Sequence, residues 1–228
     1  MEEENESNLL GYPSIVSYEC SKKIINQMEK TICRLKIEDE QGTGFFCKIP
    51  FPYKKNMLPV LITNNHIIND KILYKNNEII TLYMQEIGKK NIDLNNRLKY
   101  TNKEYDITII EIKEEDEINN YLELDDNLIN DIINNNNENI EYKDKTIYII
   151  QYPEGELSVS YGIIQNIEDN KYNIRHKCST DNGSSGLPIL NYDNKVIGIH
   201  KEGTYFNKLN KGTFLIIHKR LYSNKLSK

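Results

Sequence analysis

The sequence predicts an all-β protein built from two six-stranded antiparallel barrels. Apolar runs rich in β-branched and aromatic residues, each about five to eight residues long, recur along the chain and are typical of strands. Gly, Pro, Asn and Asp separate the runs and predict turns between them. An Asn-rich stretch at 129–144 divides the runs into two groups, so we expect two strand-rich units joined by a linker.

The expected division of the chain follows from these two groups. A first barrel is expected at 31–125, an Asn-rich linker at 126–145 and a second barrel at 146–221. An N-terminal segment (1–30) precedes them and a C-terminal tail (222–228) follows. The runs assigned to strands are TICRLKIED, GTGFFCKI, LPVLITNN, EIITLYM and YDITIIEI in the first half, and TIYIIQYP, LSVSYGIIQNI, YNIRHKC, LPILNY, KVIGIHK and GTFLIIH in the second.

Short helices are expected near the two ends. The segment SKKIINQMEK (21–30) places Ile24, Ile25 and Met28 at helical spacing. The segment KRLYSNKL near the C-terminus has a weaker helical pattern.

Composition limits the expected partners and location. The net charge of −5 and the scattered Lys residues argue against a nucleic-acid partner. The acidic start lacks the basic end and apolar stretch of a secretion signal, and no run approaches the roughly 20 apolar residues needed to span a bilayer. We therefore expect a cytoplasmic protein with no membrane partner, and we take a monomer as the expected state.

The number and spacing of the cysteines do not indicate a disulfide framework or a metal site. Cys20, Cys33, Cys47 and Cys178 are few and irregularly spaced. Reduced thiols are the expectation for all four. No metal and no cofactor is expected from the sequence.

Two segments of the first half carry residues that could act in catalysis. ITNNHIIN has His66 where an expected strand runs into a turn. EYDITIIEI has Asp106 directly before an apolar strand. A His in a turn and an Asp before a strand are both common, so neither residue is specific by itself.

A third segment, STDNGSSGLPI, is more specific. Its residues Gly183, Ser185, Gly186 and Pro188 form the pattern G-x-S-G-x-P. Gly on both sides of a Ser permits a tight turn that lifts the hydroxyl out of the backbone. Such a turn also directs the N–H groups of Gly183 and Ser185 towards one point, which an oxyanion hole requires. Taken alone, the pattern also fits an ordinary Gly/Ser loop.

Together, the three segments resemble the trypsin-like (chymotrypsin-fold) serine protease family. TNNH, YDITIIEI and GSSGLP match its His, Asp and Ser segments, and they occur in the family's chain order. QGTGFF (41–46) resembles its first-barrel hairpin, KVIGIHKEG (195–203) its substrate-pairing strand and KGTFLII (211–217) its last pocket strand. The resemblance extends over about residues 31–221. It implies Greek-key barrels with the active site between them.

The resemblance also implies a role for each residue. Ser185 would be the nucleophile, His66 the general base and then the general acid, and Asp106 the group that orients the imidazole. The N–H groups of Gly183 and Ser185 would bind the oxyanion. The implied substrate is a polypeptide, and the implied reaction needs no metal or cofactor.

One departure from the digestive branch of the family bears on activation. Those enzymes are switched on when a freed N-terminus pairs with an Asp just before the nucleophile. Ser184 stands at that position here, and Ile15-Val16-Ser17-Tyr18 is not an IVGG-like start. We therefore expect no switch of that kind, as in bacterial and viral branches that fold directly into an active state.

The pocket residues resemble those of glutamyl endopeptidases and picornavirus-type processing proteases. In both groups, a Thr hydroxyl and a His from a G-x-H-x-x-G strand bind the side-chain oxygen of an acidic or amide residue. Thr180 and His200 stand at the matching positions. A hydroxyl and an imidazole can supply two hydrogen-bond donors. The resemblance therefore implies cleavage after Glu, or after Gln.

Four further residues complete the expected substrate site. Ser179 stands where an Asp would mark cleavage after Lys or Arg, so that specificity is not expected. Lys201 would raise the positive potential and favour Glu. Gly203 and Gly212 lie on the two expected pocket strands.

Two alternatives remain open at this point. Lys201 and Glu202 beside the substrate strand would also fit a catalytically inactive trypsin-fold module that binds peptides. The second alternative is that Cys178 or Cys47 is the nucleophile, although Cys178 has no flanking Gly to form an oxyanion turn. The remaining histidines, His176 and His218, are expected at the surface or at the pocket rim.

Overall fold

Two antiparallel β units account for most of the residues that the structure describes. The computed structural model describes residues 9, 11–37, 40–53, 55–125, 142–168, 172–204 and 209–215. The α-helices of this part of the chain are α1 Tyr18–Thr31 and α2 Asp70–Leu73, and short 3-10 helices lie at Glu114–Asp116 and Pro153–Gly155. The mostly β character predicted from the recurring apolar runs is confirmed.

The first half of the chain forms a seven-stranded antiparallel sheet. Its strands are β1 Ile32–Ile37, β2 Glu40–Pro50, β3 Met57–Thr63, β4 Ile79–Met84, β5 Gly88–Asp93, β6 Lys99–Asn102 and β7 Ile107–Glu111. Their order in the sheet is β5-β4-β1-β2-β3-β7-β6. Leu35 and Ile37 of β1 are buried while Lys36 between them is exposed, the alternation expected of a strand with one face in the core.

This sheet corrects the prediction of a six-stranded first barrel. It has seven strands, and pairing among the described strands leaves β5 and β6 as its two edges. The sequences of β5 (GKKNID) and β6 (KYTN) are polar, and each strand has one buried residue, Ile92 and Tyr100 respectively. Edge strands with so little apolar surface carry only a weak sequence pattern, which is why both were missed.

The second half forms the closed six-stranded barrel that the sequence predicts. Its strands are β8 Thr146–Gln151, β9 Ser158–Ile167, β10 Asn173–His176, β11 Pro188–Asn191, β12 Val196–Thr204 and β13 Leu209–Phe214. The barrel order is β10-β13-β12-β11-β8-β9. Closure places β10 and β12 on either side of β13, although 19 residues lie between the end of β10 and the start of β12 in the chain.

A shared hydrophobic core joins the two units. Phe45 of β2 and Leu190 of β11 belong to one cluster of buried side chains. The segment after β7 then crosses from one unit to the other. Leu122 pairs with β2, and Leu124 pairs with β12. The two units are therefore packed directly against each other.

Helix α1 contacts both units. Ser17 caps its N-terminus, as Ser commonly does, and Ile24 is buried. Ile25, expected on the apolar face, is 54% exposed. Gln27 Nε2 donates a hydrogen bond of 2.9 Å to the carbonyl oxygen of Asn194, in the turn between β11 and β12.

Several sequence-based expectations fall on segments that the structure does not describe. Residues 126–141 of the Asn-rich linker, the C-terminal tail, its expected helix and His218 lie outside the described residues. The linker boundaries and that helix therefore stay predictions. Among the described helices, none combines the length and the apolar character that crossing a bilayer requires.

Candidate active site

A His–Asp pair forms where two strands of the first sheet meet. His66 follows the end of β3, and Asp106 directly precedes β7, the neighbouring strand. His66 Nδ1 lies 2.7 Å from Asp106 Oδ2, and the His66 backbone N–H donates to Asp106 Oδ1 at 3.0 Å. Because Nδ1 faces a carboxylate, the ring proton lies on Nδ1 and Nε2 is left as a proton acceptor.

The backbone around this pair is held by two neighbouring Asn residues. Asp106 has a φ of 53°, a left-handed conformation that Asp tolerates better than most residues. Asn64 Nδ2 donates to the Asp106 carbonyl oxygen at 2.7 Å, and Asn65 Nδ2 donates to Thr101 Oγ1 at 2.6 Å. Sequence reasoning did not single out either Asn, although both lie directly before His66.

The second barrel also supports the loop that carries Asp106. Lys201 Nζ donates to the Glu104 carbonyl oxygen at 2.9 Å, and Thr213 Oγ1 donates to the Tyr105 carbonyl oxygen at 3.3 Å. Burial lowers the pKa of Lys201, while the Asp106 carboxylate acts in the opposite direction. Lys201, expected at the substrate, therefore holds the Asp106 loop instead.

The turn that carries Ser185 requires glycine on both sides. Gly183 and Gly186 have φ values of 91° and 86°, a region that side chains rarely adopt. A Cβ atom on Gly183 would lie 2.7 Å from the Tyr152 carbonyl oxygen. A Cβ atom on Gly186 would overlap the Thr43 carbonyl oxygen. The G-x-S-G pattern is thus explained by backbone conformation and by close packing.

Thr43 of β2 connects this turn to the segment of His66. The Thr43 backbone N–H donates to the Ser185 carbonyl oxygen at 2.7 Å, and its hydroxyl donates to the Gly183 carbonyl oxygen at 2.9 Å. Thr63 Oγ1, at the end of β3, donates to the Thr43 carbonyl oxygen at 2.9 Å. The QGTGFF segment therefore lies between the His and Ser segments and bonds to both.

The Ser turn packs directly on the His segment. A Cβ atom on Gly186 would lie 3.2 Å from the Asn64 backbone nitrogen, two residues before His66. The Ser185 hydroxyl makes no hydrogen bond within the described part of the chain. In sites without substrate, the bond between nucleophile and base is often long and tightens when substrate binds.

Two backbone N–H groups of the Ser turn are available to a ligand. The Asn182 carbonyl oxygen accepts a hydrogen bond of 3.0 Å from the Glu154 N–H. In a trans peptide the N–H points opposite to the carbonyl, so the Gly183 N–H points away from Glu154. Neither the Gly183 nor the Ser185 amide donates to another described residue.

Ser184 stabilises the turn from within. Its hydroxyl accepts from the Asp181 N–H at 3.1 Å, and its own N–H donates to the Asp181 carbonyl oxygen at 3.1 Å. Its side chain is buried. The turn is therefore held without an ion pair at this position.

An open pocket of about 460 Å³ lies beside Ser185. Three of the residues expected to bind substrate, Thr180, His200 and Gly203, line it. The described lining residues are Thr180, Asp181, Asn182, Gly183, Ser184, Ser185, His200, Glu202, Gly203 and Asn210. Sequence reasoning missed five of these as pocket residues: Asp181, Asn182, Ser184, Glu202 and Asn210.

Ser179 and Gly212, like Lys201, were expected in the pocket but do not line it. Ser179 is exposed, and its carbonyl oxygen accepts from Gln151 Nε2 at 3.1 Å. Gly212 lies on β13 opposite His200, and a Cβ atom there would contact Ile189 and Ile174. Gly212 therefore faces the packed barrel interior.

His176 was expected at the surface or pocket rim, and that expectation is wrong. Its side chain is fully buried, and its Nε2 lies 3.2 Å from Nδ1 of His200. Burial and then the His200 ring lower the pKa of His176 to about 3. Burial, followed by the nearby His66, lowers the pKa of His200 to about 4, although Asp106 acts in the opposite direction. Both buried rings are therefore neutral at neutral pH.

The four cysteines are free and buried. Burial raises the pKa of Cys178 to about 12 and that of Cys47 further still. A thiol must ionise to act as a nucleophile, so neither of these residues fits that role. Within the described residues, no cluster of three or more His, Cys, Asp or Glu side chains is arranged to hold a metal ion.

Comparisons with known proteins address the family and the fold of this chain. A model of the trypsin-like peptidase domain family matches residues 42–199, more than half of the chain. The fold is similar to that of a serine endoprotease from Yersinia pestis, with a TM-score of 0.62 and 15% identity over 92% of this chain and 68% of that one.

An inactive mutant form of Rv3671c from M. tuberculosis H37Rv has a TM-score of 0.62 and 12% identity, over 96% of this chain and 100% of that one. An inactive form of the Rv3671c protease has a TM-score of 0.61 and 12% identity, over 93% of this chain and 99% of that one. No curated protein sequence matches the chain. The family match and the fold together assign this chain to the trypsin-like peptidase family.

Proposed function

We propose that this protein is a serine endopeptidase in which Ser185, His66 and Asp106 form the catalytic triad, and that it cuts after Glu or Gln. The observation that carries the proposal is the doubly hydrogen-bonded His66–Asp106 pair beside the glycine-flanked Ser185 turn. A fixed imidazole with a free Nε2 next to a Ser hydroxyl is the arrangement that acyl transfer needs.

The acylation step follows from these atoms. Ser185 Oγ attacks the carbonyl carbon of the scissile bond while its proton passes to His66 Nε2. The resulting oxyanion accepts hydrogen bonds from the Gly183 and Ser185 N–H groups, each worth about 2.7–4 kcal/mol in the transition state. His66 then protonates the leaving amine, the C–N bond breaks, and an acyl-enzyme remains.

Deacylation uses the same groups in reverse. Water attacks the acyl carbon and gives a proton to His66 Nε2, which returns it to Ser185 Oγ as the ester bond breaks. Asp106 stays ionised throughout and stabilises the imidazolium. Its two hydrogen bonds to His66 support that role.

The pocket supports the proposed specificity. His200 and Thr180 both line it, and the Thr180 hydroxyl makes no hydrogen bond with a described residue. An imidazole N–H and a hydroxyl can both donate to one side-chain oxygen of a bound substrate. A Glu carboxylate and a Gln amide each offer such an oxygen.

Cleavage of a peptide library tests the proposal. We expect the wild-type protein to cut after Glu or Gln, and Ser185→Ala and His66→Ala each to lose turnover by about 10⁴-fold or more. His200→Ala should reduce cleavage after Glu or Gln far more than it reduces reaction with a small acylating reagent. Cleavage after Arg, Lys or large apolar residues that His200→Ala leaves unchanged would contradict the specificity but not the triad.

The competing function is that of an inactive peptide-binding module. It predicts that library peptides bind the folded protein but remain uncut, and that Ser185→Ala binds them equally well. Turnover that disappears in both triad variants would exclude it.

A further inference from the structure

The side chain of His200 is tied to the backbone through a second buried histidine. The Cys178 backbone N–H donates to His176 Nδ1 at 3.3 Å. A ring nitrogen that accepts from an N–H carries no proton. Neutral His176 must therefore hold its single proton on Nε2.

That proton determines the tautomer of His200. His176 Nε2 lies 3.2 Å from His200 Nδ1, and the two rings meet edge to face with centroids 5.4 Å apart. Because His176 Nε2 is the donor, His200 Nδ1 is the acceptor. The proton of neutral His200 is consequently on its Nε2.

The Nε2–H group of His200 is available to a substrate. This atom has no hydrogen-bond partner among the described residues. The side-chain polar atoms that are fully buried without a partner do not include His200 Nε2. Because this atom has no partner, it must therefore be in contact with solvent. His200 lines the pocket beside Ser185, and we therefore assign the solvent contact of its Nε2 to that pocket.

The charges around the pocket favour a neutral ligand. Asp181 and Glu202 line it, and no Lys or Arg is among its described lining residues. The Lys201 ammonium group donates to the Glu104 carbonyl oxygen. Lys211 Nζ lies 4.0 Å from Glu202 Oε1, so the Lys211 charge partly offsets that of the Glu202 carboxylate. A carboxylate entering this pocket would lose hydration and face two carboxylates, and it would meet no cation among the described lining residues.

We infer that His176 is a second specificity-determining residue, acting through His200: it fixes His200 as a neutral N–H donor, so that the pocket selects the side-chain amide of Gln over the carboxylate of Glu. This inference rests on the proposed function. His176 does not touch the substrate and is a positioning residue. The lowered pKa of each ring agrees with a neutral pair.

The wild-type protein provides the first test. Two peptides that differ only in Gln or Glu before the scissile bond are compared at about pH 7.5, where the Glu side chain is ionised. We expect kcat/KM to be at least about tenfold higher for the Gln peptide. Equal values, or a preference for the Glu peptide, would overturn the inference.

Two variants of nearly equal size test the role of His176. The amide of His176→Gln can accept from the Cys178 N–H and donate to His200 Nδ1, so the preference for Gln should be retained. The carboxylate of His176→Glu can only accept from His200 Nδ1, which favours a charged imidazole, so the preference should shift towards the Glu peptide by about tenfold or more. The same Gln-to-Glu ratio in both variants would contradict the inference.

Titration of Ser185 with a fluorophosphonate separates this inference from the proposed function. Ile174→Val, another buried residue of β10, serves as the packing control and should keep the wild-type ratio. Rates are normalised to the titrated sites, so a partly folded variant does not alter the ratio. Normal titration with no preference for Gln would reject the inference alone, whereas absence of titration in the wild-type protein would reject both.

Discussion

The backbone N–H of Thr43 donates to the carbonyl oxygen of Ser185 at 2.7 Å, so a strand of the first sheet holds a turn of the second barrel. The Thr43 hydroxyl adds a bond to the Gly183 carbonyl oxygen, and Thr63 bonds to Thr43 from the other side. The Ser185 turn and the His66 segment thus have a common support. Their relative position depends on this support as well as on the contact between the two units.

Removing the Thr43 hydroxyl should reduce activity without removing any triad residue. Thr43→Val keeps the shape and the backbone N–H but leaves the Gly183 carbonyl oxygen without its bond. We expect kcat/KM to fall about tenfold and the free energy of unfolding to fall by about 1–3 kcal/mol, measured by peptide turnover and denaturant unfolding. Thr81→Val, whose hydroxyl bonds to exposed Asn91, is the control and should change neither. Wild-type turnover in Thr43→Val would show that the hydroxyl does not position the turn.

A methyl group at Gly186 should disrupt the Ser185 turn. Gly186→Ala places a Cβ atom at a φ of 86° and against the Thr43 carbonyl oxygen. Gly88 has a φ of 69° with open space around it, so Gly88→Ala adds conformational strain alone, about 1–2 kcal/mol. We expect Gly186→Ala to be the more destabilised variant in denaturant unfolding and to lose turnover. Equal destabilisation of the two variants would contradict the close packing at Gly186.

The buried ion pair of the first sheet should contribute strongly to stability. Arg97 and Asp116 are 4% and 5% exposed, and Nη2 of Arg97 lies 2.8 Å from Oδ1 of Asp116. Arg97→Met leaves an uncompensated buried carboxylate, so we expect the free energy of unfolding to fall by about 3–5 kcal/mol. Lys90→Met removes the partner of the exposed Glu117 and should have little effect. Similar stabilities for the two variants would indicate that Asp116 is solvated or protonated.

The two buried histidines should make stability depend on pH. Unfolded histidines take up protons below about pH 6.5. Buried His200 and His176 stay neutral down to about pH 4 and about pH 3. The unfolded state therefore binds more protons in this window, and stability falls as pH falls from about 6.5.

Replacing one of the two histidines tests this dependence. His176→Gln removes one of the titrating groups, so its loss of stability between about pH 6.5 and pH 4.5 should be smaller than that of the wild-type protein. Denaturant unfolding across this range provides the measurement. Carboxylates with a lowered pKa, such as Glu168, titrate mainly below this pH range. They affect the wild-type protein and His176→Gln alike. Identical slopes would show that His176 takes up a proton in the folded state.

The sequence predicted the features that depend on local chemistry. The G-x-S-G pattern around Ser185 indicated a tight turn, and both glycines of that turn have a positive φ. Asp106 was expected directly before an apolar strand, and β7 begins at the next residue. Turn chemistry and strand periodicity involve residues close together in the chain, so they can be inferred without the fold.

Features that depend on distant contacts were not predicted. The pairing of His176 with His200 requires closure of the barrel, which brings β10 and β12 to the same strand, β13. The direction of the Lys201 side chain depends on a carbonyl group of the other unit. Thr43 lies in the QGTGFF segment that was matched to the family's hairpin, but its own role depends on a turn 140 positions away.

Reaction with a fluorophosphonate, followed by mass mapping of the labelled peptide, tests the central claim most directly. The reagent requires an activated Ser and an oxyanion site but no particular substrate side chain. We predict one label per folded chain, located on Ser185, with none on Ser185→Ala and labelling slowed by about 10³-fold or more in His66→Ala. A folded wild-type protein that remains unlabelled, or that is labelled at another residue, would contradict the assignment of Ser185 as an activated nucleophile.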